Sequence, residues 1–309
     1  MINLTLKHLR YFDSLARTRH FGRAAEMCSI SQPALSIQIK ELETMIGAPL
    51  IERTARQIRL TTLGEVFLER ARKVLLDVED IAMLVRTNTG TLSGTLKMGI
   101  IPTVAPYILP DVFQELSKRL PDLELVPRES ITTSLVGDLL HSRLDFIVAA
   151  LPISEPTLHE FALFEEDFVL VRSADDADRP VPSPDKLQTM KLLLLEEGHC
   201  FRDQAISYCK MRPSDTSLVM EGSSLSTLVQ MVSVGLGVTL IPEMAVPLET
   251  SHTDLSIARF GHRKPKRTIG MVWRKTSPLS EQLMDLGAII RQVGQKKVEG
   301  RVDAVQPVL

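Results

Sequence analysis

The stretch Leu192-Leu193-Leu194-Leu195, the turn Glu196-Glu197-Gly198, and then His199-Cys200-Phe201-Arg202-Asp203-Gln204-Ala205-Ile206-Ser207-Tyr208-Cys209 set the frame for this chain. The leucine run reads as a buried strand and residues 201–210 as the helix that follows it. Two of the three cysteines lie here, nine positions apart. On a helix, nine residues span about 13 Å and turn the two side chains to opposite faces. A disulfide needs its Cα atoms within about 7 Å. Bonding Cys200 to Cys209 therefore requires the helix to unwind. Spacing alone leaves two readings: a redox switch, or two inert small hydrophobes, which is how free cysteines commonly behave.

The same strand–helix alternation extends in both directions. Thr95 to Ile101, Leu123 to Pro127 and Phe146 to Ala150 read as strands, with helices at Val104 to Leu120 and Thr133 to Ser142. Residues 163–267 repeat the scheme, with strands near Phe168–Val171, Lys191–Leu195, Ser217–Val219 and Val238–Leu240 and helices at 201–210 and 224–234. Thr268 to Trp273 resumes as a strand and Pro278 to Lys297 as a final helix. Such alternation builds βαβ units on a mostly parallel sheet. The expected regulatory region, 91–300, thus divides into one α/β subdomain at 91–162 with 268–300 and another at 163–267. Ligands of such sheets sit beyond the carboxyl ends of the strands. Those ends are Ile101-Pro102-Thr103, Arg128 to Thr132 and Glu196 to Cys200, all on one expected cleft. The tail, 301–309, lacks periodicity.

Bulk properties are those of a soluble multidomain protein: 309 residues, 44% hydrophobic, 24% charged. Three cysteines cannot form a disulfide framework. No basic-then-apolar leader and no apolar run of membrane-spanning length is evident, so a cytoplasmic protein with no membrane partner is expected. The net charge of −2 conceals an asymmetry, because residues 1–60 hold nine Lys and Arg against five Asp and Glu. A basic head on an acidic body suggests a nucleic-acid partner at that end.

Within the head, Leu6, Leu9, Phe12, Leu15 and Ala16 recur at helical spacing, and Phe21 to Cys28 reads as a short second helix that places Cys28 in the core. Ser29-Ile30 makes a turn, Ser31 caps a third helix with Pro33 in its first turn, and Gly47 ends it. Leu35, Ile39, Leu42 and Ile46 form one face of that helix; Gln32, Ser36, Lys40 and Glu43 form another. This is a helix-turn-helix, whose second helix enters the major groove. Gln32 and Ser36 are the expected base readers and Lys40 a phosphate contact. Leu50 to Arg53 and Gln57 to Leu60 flank a turn as in a winged hairpin, with Arg53 and Arg56 placed for backbone phosphate. Residues 1–60 form the expected DNA-binding domain. Thr62-Leu63-Gly64-Glu65 has the form of a capping box. It opens a linker helix, 61–90, whose apolar stripe suits pairing with a second copy.

Ala24-Ala25, Ser31-Gln32-Pro33-Ala34-Leu35-Ser36, Gln38-Ile39, Leu42-Glu43, Gly47, Leu50, Arg53 and Thr61 resemble the N-terminal signature of LysR-type transcriptional regulators. Ile37 departs from it, standing where many members carry arginine. The resemblance implies an α/β fold with an N-terminal all-α winged helix-turn-helix and a regulatory domain of two periplasmic-binding-protein-like α/β subdomains. It also implies double-stranded promoter DNA as partner, with Ser31, Gln32, Pro33, Ser36, Lys40, Arg53 and Arg56 at the DNA.

The segment Gly198 to Ala205, with Ile101-Pro102-Thr103-Val104, Ile241-Pro242 and Arg267-Thr268-Ile269-Gly270, resembles the OxyR subgroup, the family's hydrogen peroxide sensors. That resemblance implies a peroxidatic Cys200, a resolving Cys209, a homotetramer built as a dimer of dimers, contact with RNA polymerase, and no cofactor or metal. A helix N-terminus favours negative charge at Cys200, and cations nearby do the same. Thr103, Thr132, His199, Asp203 and Arg267 are the expected peroxide pocket, with Asp203 organising Arg267 or a water. Each also has a plainer reading: a cap or spacer for His199 and the threonines, a structural ion pair for Arg267. Rival functions are a LysR-type regulator answering a small metabolite, a thiol peroxidase and a solute-binding protein. A DNA-reading head argues against the last two, and no further Cys or His stands at metal-ligand spacing.

Overall fold

A computed structural model describes residues 3–53, 58–87, 92–209, 220–251, 253–261 and 264–299. The chain forms two compact units, residues 1–85 and 86–309.

The first unit is built from α1 (Leu6–Thr18), α2 (Phe21–Met27), α3 (Gln32–Ile46), the hairpin strands β1 (Ile51–Arg53) and β2 (Ile58–Leu60), and the long α4 (Thr62–Thr87). Phe12, Leu15, Ala24, Leu35, Ile39, Leu42 and Leu50 are fully buried and form one core. Each such side chain contributes about 1.5–3 kcal/mol on burial. α3 starts at Ser31, whose hydroxyl accepts from the Ala34 amide at 3.4 Å, and stops at Gly47 with φ +78°. The turn between α2 and α3 uses Ser29 at φ +54°. Cys28 is half-buried at the α2 C-cap, not a core residue as expected, because the helix ends one residue before it. α4 is capped by Thr61 instead of Thr62: the Thr61 hydroxyl accepts from Gly64 N at 2.9 Å. A Cβ at Gly64 would lie 2.1 Å from the Leu50 carbonyl, so only glycine lets α4 begin against the hairpin. Phe67 then meets Phe12 edge-on at 5.4 Å, and Arg72 pairs with Asp13 at 2.6 Å, fixing α4 to α1. On other parts of α4, Leu63, Val66, Val74 and Ile81 remain exposed. The turn residues 54–57, Arg56 among them, the expected linker residues 88–91, the strand expected at Ser217–Val219 and the tail lie outside the described residues, as does the side chain of Arg53.

The second unit runs β3 (Gly94–Ile100), α5 (Ala105–Arg119), β4 (Leu123–Glu129), α6 (Thr132–Leu140), β5 (Phe146–Leu151) and β6 (Leu158–Ser173). It continues α7 (Pro184–Leu187), β7 (Leu192–Leu195), α8 (Cys200–Tyr208), β8 (Met220–Gly222), α9 (Leu225–Ser233) and β9 (Val238–Pro242). α10 (Val246–Glu249), β10 (Leu255–Arg259), β11 (Lys266–Arg274) and α11 (Ser280–Glu299) complete it. The strands hydrogen-bond in the order β4-β3-β5-β11-β6-β9-β7-β8, with β10 also on β6. β3 is parallel to β4 and β5, and β7 is parallel to β8 and β9, so two parallel βαβ cores are present. Antiparallel β6 and β11 join them. The first part of β6 pairs with β11; Phe168 to Ser173 turns to β9 and β10. Sequence patterning gave only Phe168–Val171 of this 16-residue strand and none of β10. The expected subdomain limits at 162/163 and 267/268 fall inside β6 and β11, which cross without a break.

Candidate functional site

Parallel topology brings three segments to one recess. The turn after β3 supplies Ile101, Pro102 and Thr103; the start of α6 supplies Ile131 and Thr132; the start of α8 supplies His199, Cys200 and Phe201. The space between them is a tight crevice without room for even a water-sized molecule, whereas pockets for ordinary small-molecule ligands run to roughly 300–1,000 Å³. Cys200 is the first residue of α8, and Thr132 the first of α6. Neither helix takes a side-chain cap, since Ile131 and His199 occupy the N-cap positions without such a bond. Helix starts of this kind leave amide donors and a partial positive charge for whatever sits in front of them. The Thr132 hydroxyl is buried there with no hydrogen-bond partner among the described residues. A buried polar atom left unmatched is costly, and such groups are rare in folded proteins.

Thr103 is held from behind. Arg267 donates to its hydroxyl at 2.7 Å and to its carbonyl at 2.9 Å. With the oxygen accepting from arginine, the hydroxyl proton is left to point elsewhere. The Arg267 charge is met by Glu166 at 2.6 Å, with both side chains fully buried. Phe201 and Phe168 cover the guanidinium at 5.4 and 5.9 Å from their ring centres. Arg267 thus stands one hydrogen bond behind the recess, in contact with Thr103 and not part of the lining. The expected role of Asp203 is corrected: it is exposed and lines a different depression with Ser207, Tyr208, Lys264 and Lys266. The acid that organises Arg267 is Glu166, its direct partner across the β6–β11 register.

His199 is buried, and burial pulls its imidazole below the usual histidine value, partly offset by Glu196. At neutral pH it is an uncharged hydrogen-bonding group. Cys209 stands at the other end of α8, fully buried, and burial pushes its thiol up to about 11. Sequence reasoning missed Arg202, which is buried and donates to the Leu195 carbonyl at 2.8 Å and to Glu221 at 2.7 Å. It clips the first turn of α8 across β7 and β8. Nothing in the sequence marks this arginine as buried. The uncapped helix starts did carry a signal, in the absence of Ser, Thr, Asp or Asn at Ile131 and His199. Among the described residues, no group of three His, Cys, Asp or Glu side chains could hold a metal ion.

In the first unit, Gln32, Pro33 and Lys40 are exposed on α3 and Ser36 is half-buried. Ser31 is exposed as well, but its hydroxyl serves the helix as cap.

Residues 6–65 match the bacterial regulatory helix-turn-helix model of the lysR family, and residues 89–295 match the LysR substrate binding domain. The chain is a LysR-type transcriptional regulator of the OxyR subgroup. It is 38% identical over 305 residues to the DNA-binding transcriptional dual regulator OxyR of Escherichia coli K12, covering 98% of each chain. It is 37% identical over 291 residues to the HTH-type transcriptional regulator EstR of Acinetobacter baylyi, covering 94% of this chain and 97% of that one. Among solved structures, a cysteine-to-serine mutant of Corynebacterium glutamicum OxyR with hydrogen peroxide bound superposes with a TM-score of 0.68 at 36% identity, over 98% of this chain and 97% of that one. The LysR-type regulator therefore reads DNA with its first unit, and its relatives are regulators, not enzymes. Among the described residues, no helix is long and apolar enough to cross a membrane.

Proposed function

We propose that this regulator senses hydrogen peroxide through a reversible Cys200–Cys209 disulfide and controls peroxide-detoxifying genes. The observation that carries the reading is the crevice at Cys200, too tight for an ordinary metabolite and lined by Thr103, His199 and the unpartnered Thr132 hydroxyl. Peroxide donates and accepts at both oxygens, which two hydroxyls and an uncharged imidazole can match.

In the first step the Cys200 thiolate attacks one peroxide oxygen. An S–O bond forms, the O–O bond breaks, and hydroxide leaves to be protonated to water. Sulfur is oxidised to a sulfenic acid and peroxide is reduced. In the second step the deprotonated Cys209 sulfur attacks Cys200. The S–S bond forms, the S–O bond breaks, and the oxygen leaves as water. Cys209 cannot reach while α8 is intact, because nine helical residues hold the sulfurs about 13 Å apart along the axis. Disulfide formation therefore unwinds α8, and a dithiol reductant reverses it.

The division into lobes at 162/163 and 267/268, the assembly as a tetramer of two dimers through α4, contact with RNA polymerase and a cytoplasmic location belong to the same proposal. A remodelled α8 would re-space the DNA-reading units on the promoter, the kind of two-state change that a local covalent event can bias. The C. glutamicum OxyR structure, which holds hydrogen peroxide, supports the peroxide reading. The 37% identity to EstR, a transcriptional regulator whose name specifies no peroxide, leaves a regulator answering a small metabolite as the second reading. Footprinting on the protein's own promoter, with mass spectrometry of the same samples, separates them. The peroxide reading expects a Cys200–Cys209 bond together with a changed footprint. A changed footprint that persists in Cys200→Ser, or no bond in the wild type, overturns it.

A further inference from the structure

The outward face of α3 carries one residue that DNA binding as described does not use. Leu35, Ile39 and Leu42 are fully buried and point into the core. At 100° per residue, the direction opposite them is centred on Ile37, with Pro33, Lys40 and Thr44 beside it. Ile37 is 57% exposed, on the wall of an open groove it shares with Thr5, Lys40, Glu41 and Thr44. Met45 also lines that groove, and two of the polar neighbours are committed within the helix. Glu41 accepts from Gln38 at 2.7 Å, and the Thr44 hydroxyl donates to the Lys40 carbonyl at 2.8 Å. A β-branched residue in mid-helix is a weaker helix former than arginine, lysine or glutamine.

We propose that Ile37 is a base reader specific for the 5-methyl group of thymine. The helix-turn-helix match covers residues 6–65, so α3 is the helix that enters the major groove. Ile37 has no donor or acceptor, so it can neither read a hydrogen-bonding edge nor neutralise a phosphate. The one apolar group that base pairs present in the major groove is the thymine methyl. Gln32 and Ser36 read on the N-terminal side of the helix, and Ile37 adds a thymine between that contact and the Lys40 phosphate contact. Because the operator is two-fold, one such thymine is expected in each half-site.

The test uses the full chain and a duplex selected by that protein from random DNA. Each thymine of the selected site is replaced in turn by uracil, which removes only the methyl. One position per half-site should weaken wild-type binding by about fourfold, the worth of one buried methyl group. In Ile37→Ala that same replacement should have no effect. The variant should bind the unmodified site more weakly, yet bind non-specific DNA as well as wild type and with the same salt dependence. Ile37→Arg should select guanine where the wild type selects thymine, since arginine pairs with the guanine edge. Wild type indifferent to every uracil replacement overturns the proposal, and that arm needs no variant to fold. A uracil effect of equal size in Ile37→Ala overturns it too, as does weaker binding of Ile37→Ala to all sequences alike.

Discussion

The two ends of α8 hold chemically identical side chains in opposite surroundings. At the N-terminal end Cys200 is half-buried, opens an uncapped helix, and faces hydroxyls at Thr103 and Thr132. At the C-terminal end Cys209 is sealed from solvent, its thiol pushed up to about 11 by burial, next to Tyr208, whose ring packs on Phe260 at 5.3 Å. The contrast shows that position on one helix gives the same residue type two different environments. The first end keeps polar atoms unmatched; the second spends its burial on keeping a thiol protonated.

The largest expected effect comes from breaking the first end. Cys200→Ser should abolish peroxide-induced disulfide formation, whereas Cys209→Ser should still trap a sulfenic acid at Cys200; a dimedone adduct located by mass spectrometry reads both. Next is the support behind the recess. Arg267→Met removes one partner of a fully buried ion pair, and such losses cost about 3–5 kcal/mol, which urea unfolding measures.

The second end answers to pH. The Cys209 thiol ionises near 9.0 ordinarily and near 11 in the folded protein. Below the lower value both states hold the proton and the group contributes nothing to pH dependence. Between the two values the unfolded chain loses its proton first, so stability falls as pH rises from about 9 to 11, by on the order of 2 kcal/mol. Urea titrations at pH 8 and pH 10.5 should show this fall in wild type and a smaller one in Cys209→Ala. The smallest effect sharpens the comparison most. Thr132→Val removes an unmatched buried hydroxyl and should raise stability by about 1 kcal/mol while slowing sulfenic acid formation. A stability gain with an unchanged rate in stopped-flow would take Thr132 out of the peroxide site.

Much of this was readable from the chain. The leucine run, the Ser31 cap and the helix from Cys200 have local signals that coincide with local structure, and the strand-end rule brings Thr103, Thr132 and Cys200 together. The unread part is long-range. Glu166 lies 101 positions from Arg267, and only the antiparallel register of β6 with β11 makes them partners. The acidic run Glu165-Glu166-Asp167 hides the middle of β6, because each carboxylate is matched by a cation from another strand or its flank: Lys266, Arg267 and Lys264. Asp203 was placed by its nearness in sequence to Cys200, but it is an exposed residue facing a separate depression.

β6 has a mechanical consequence. Sixteen extended residues reach about 50 Å, and together with β11 this strand bridges the parallel cores, β11 pairing with β5 of the first and β6 with β9 of the second. The pair runs on through one register shift, between Ile269 and Gly270. Under the proposed disulfide mechanism, unwinding α8 in the second core would therefore pull on strands that continue into the first, giving a bond between two sulfur atoms a covalent path to the far edge of the unit.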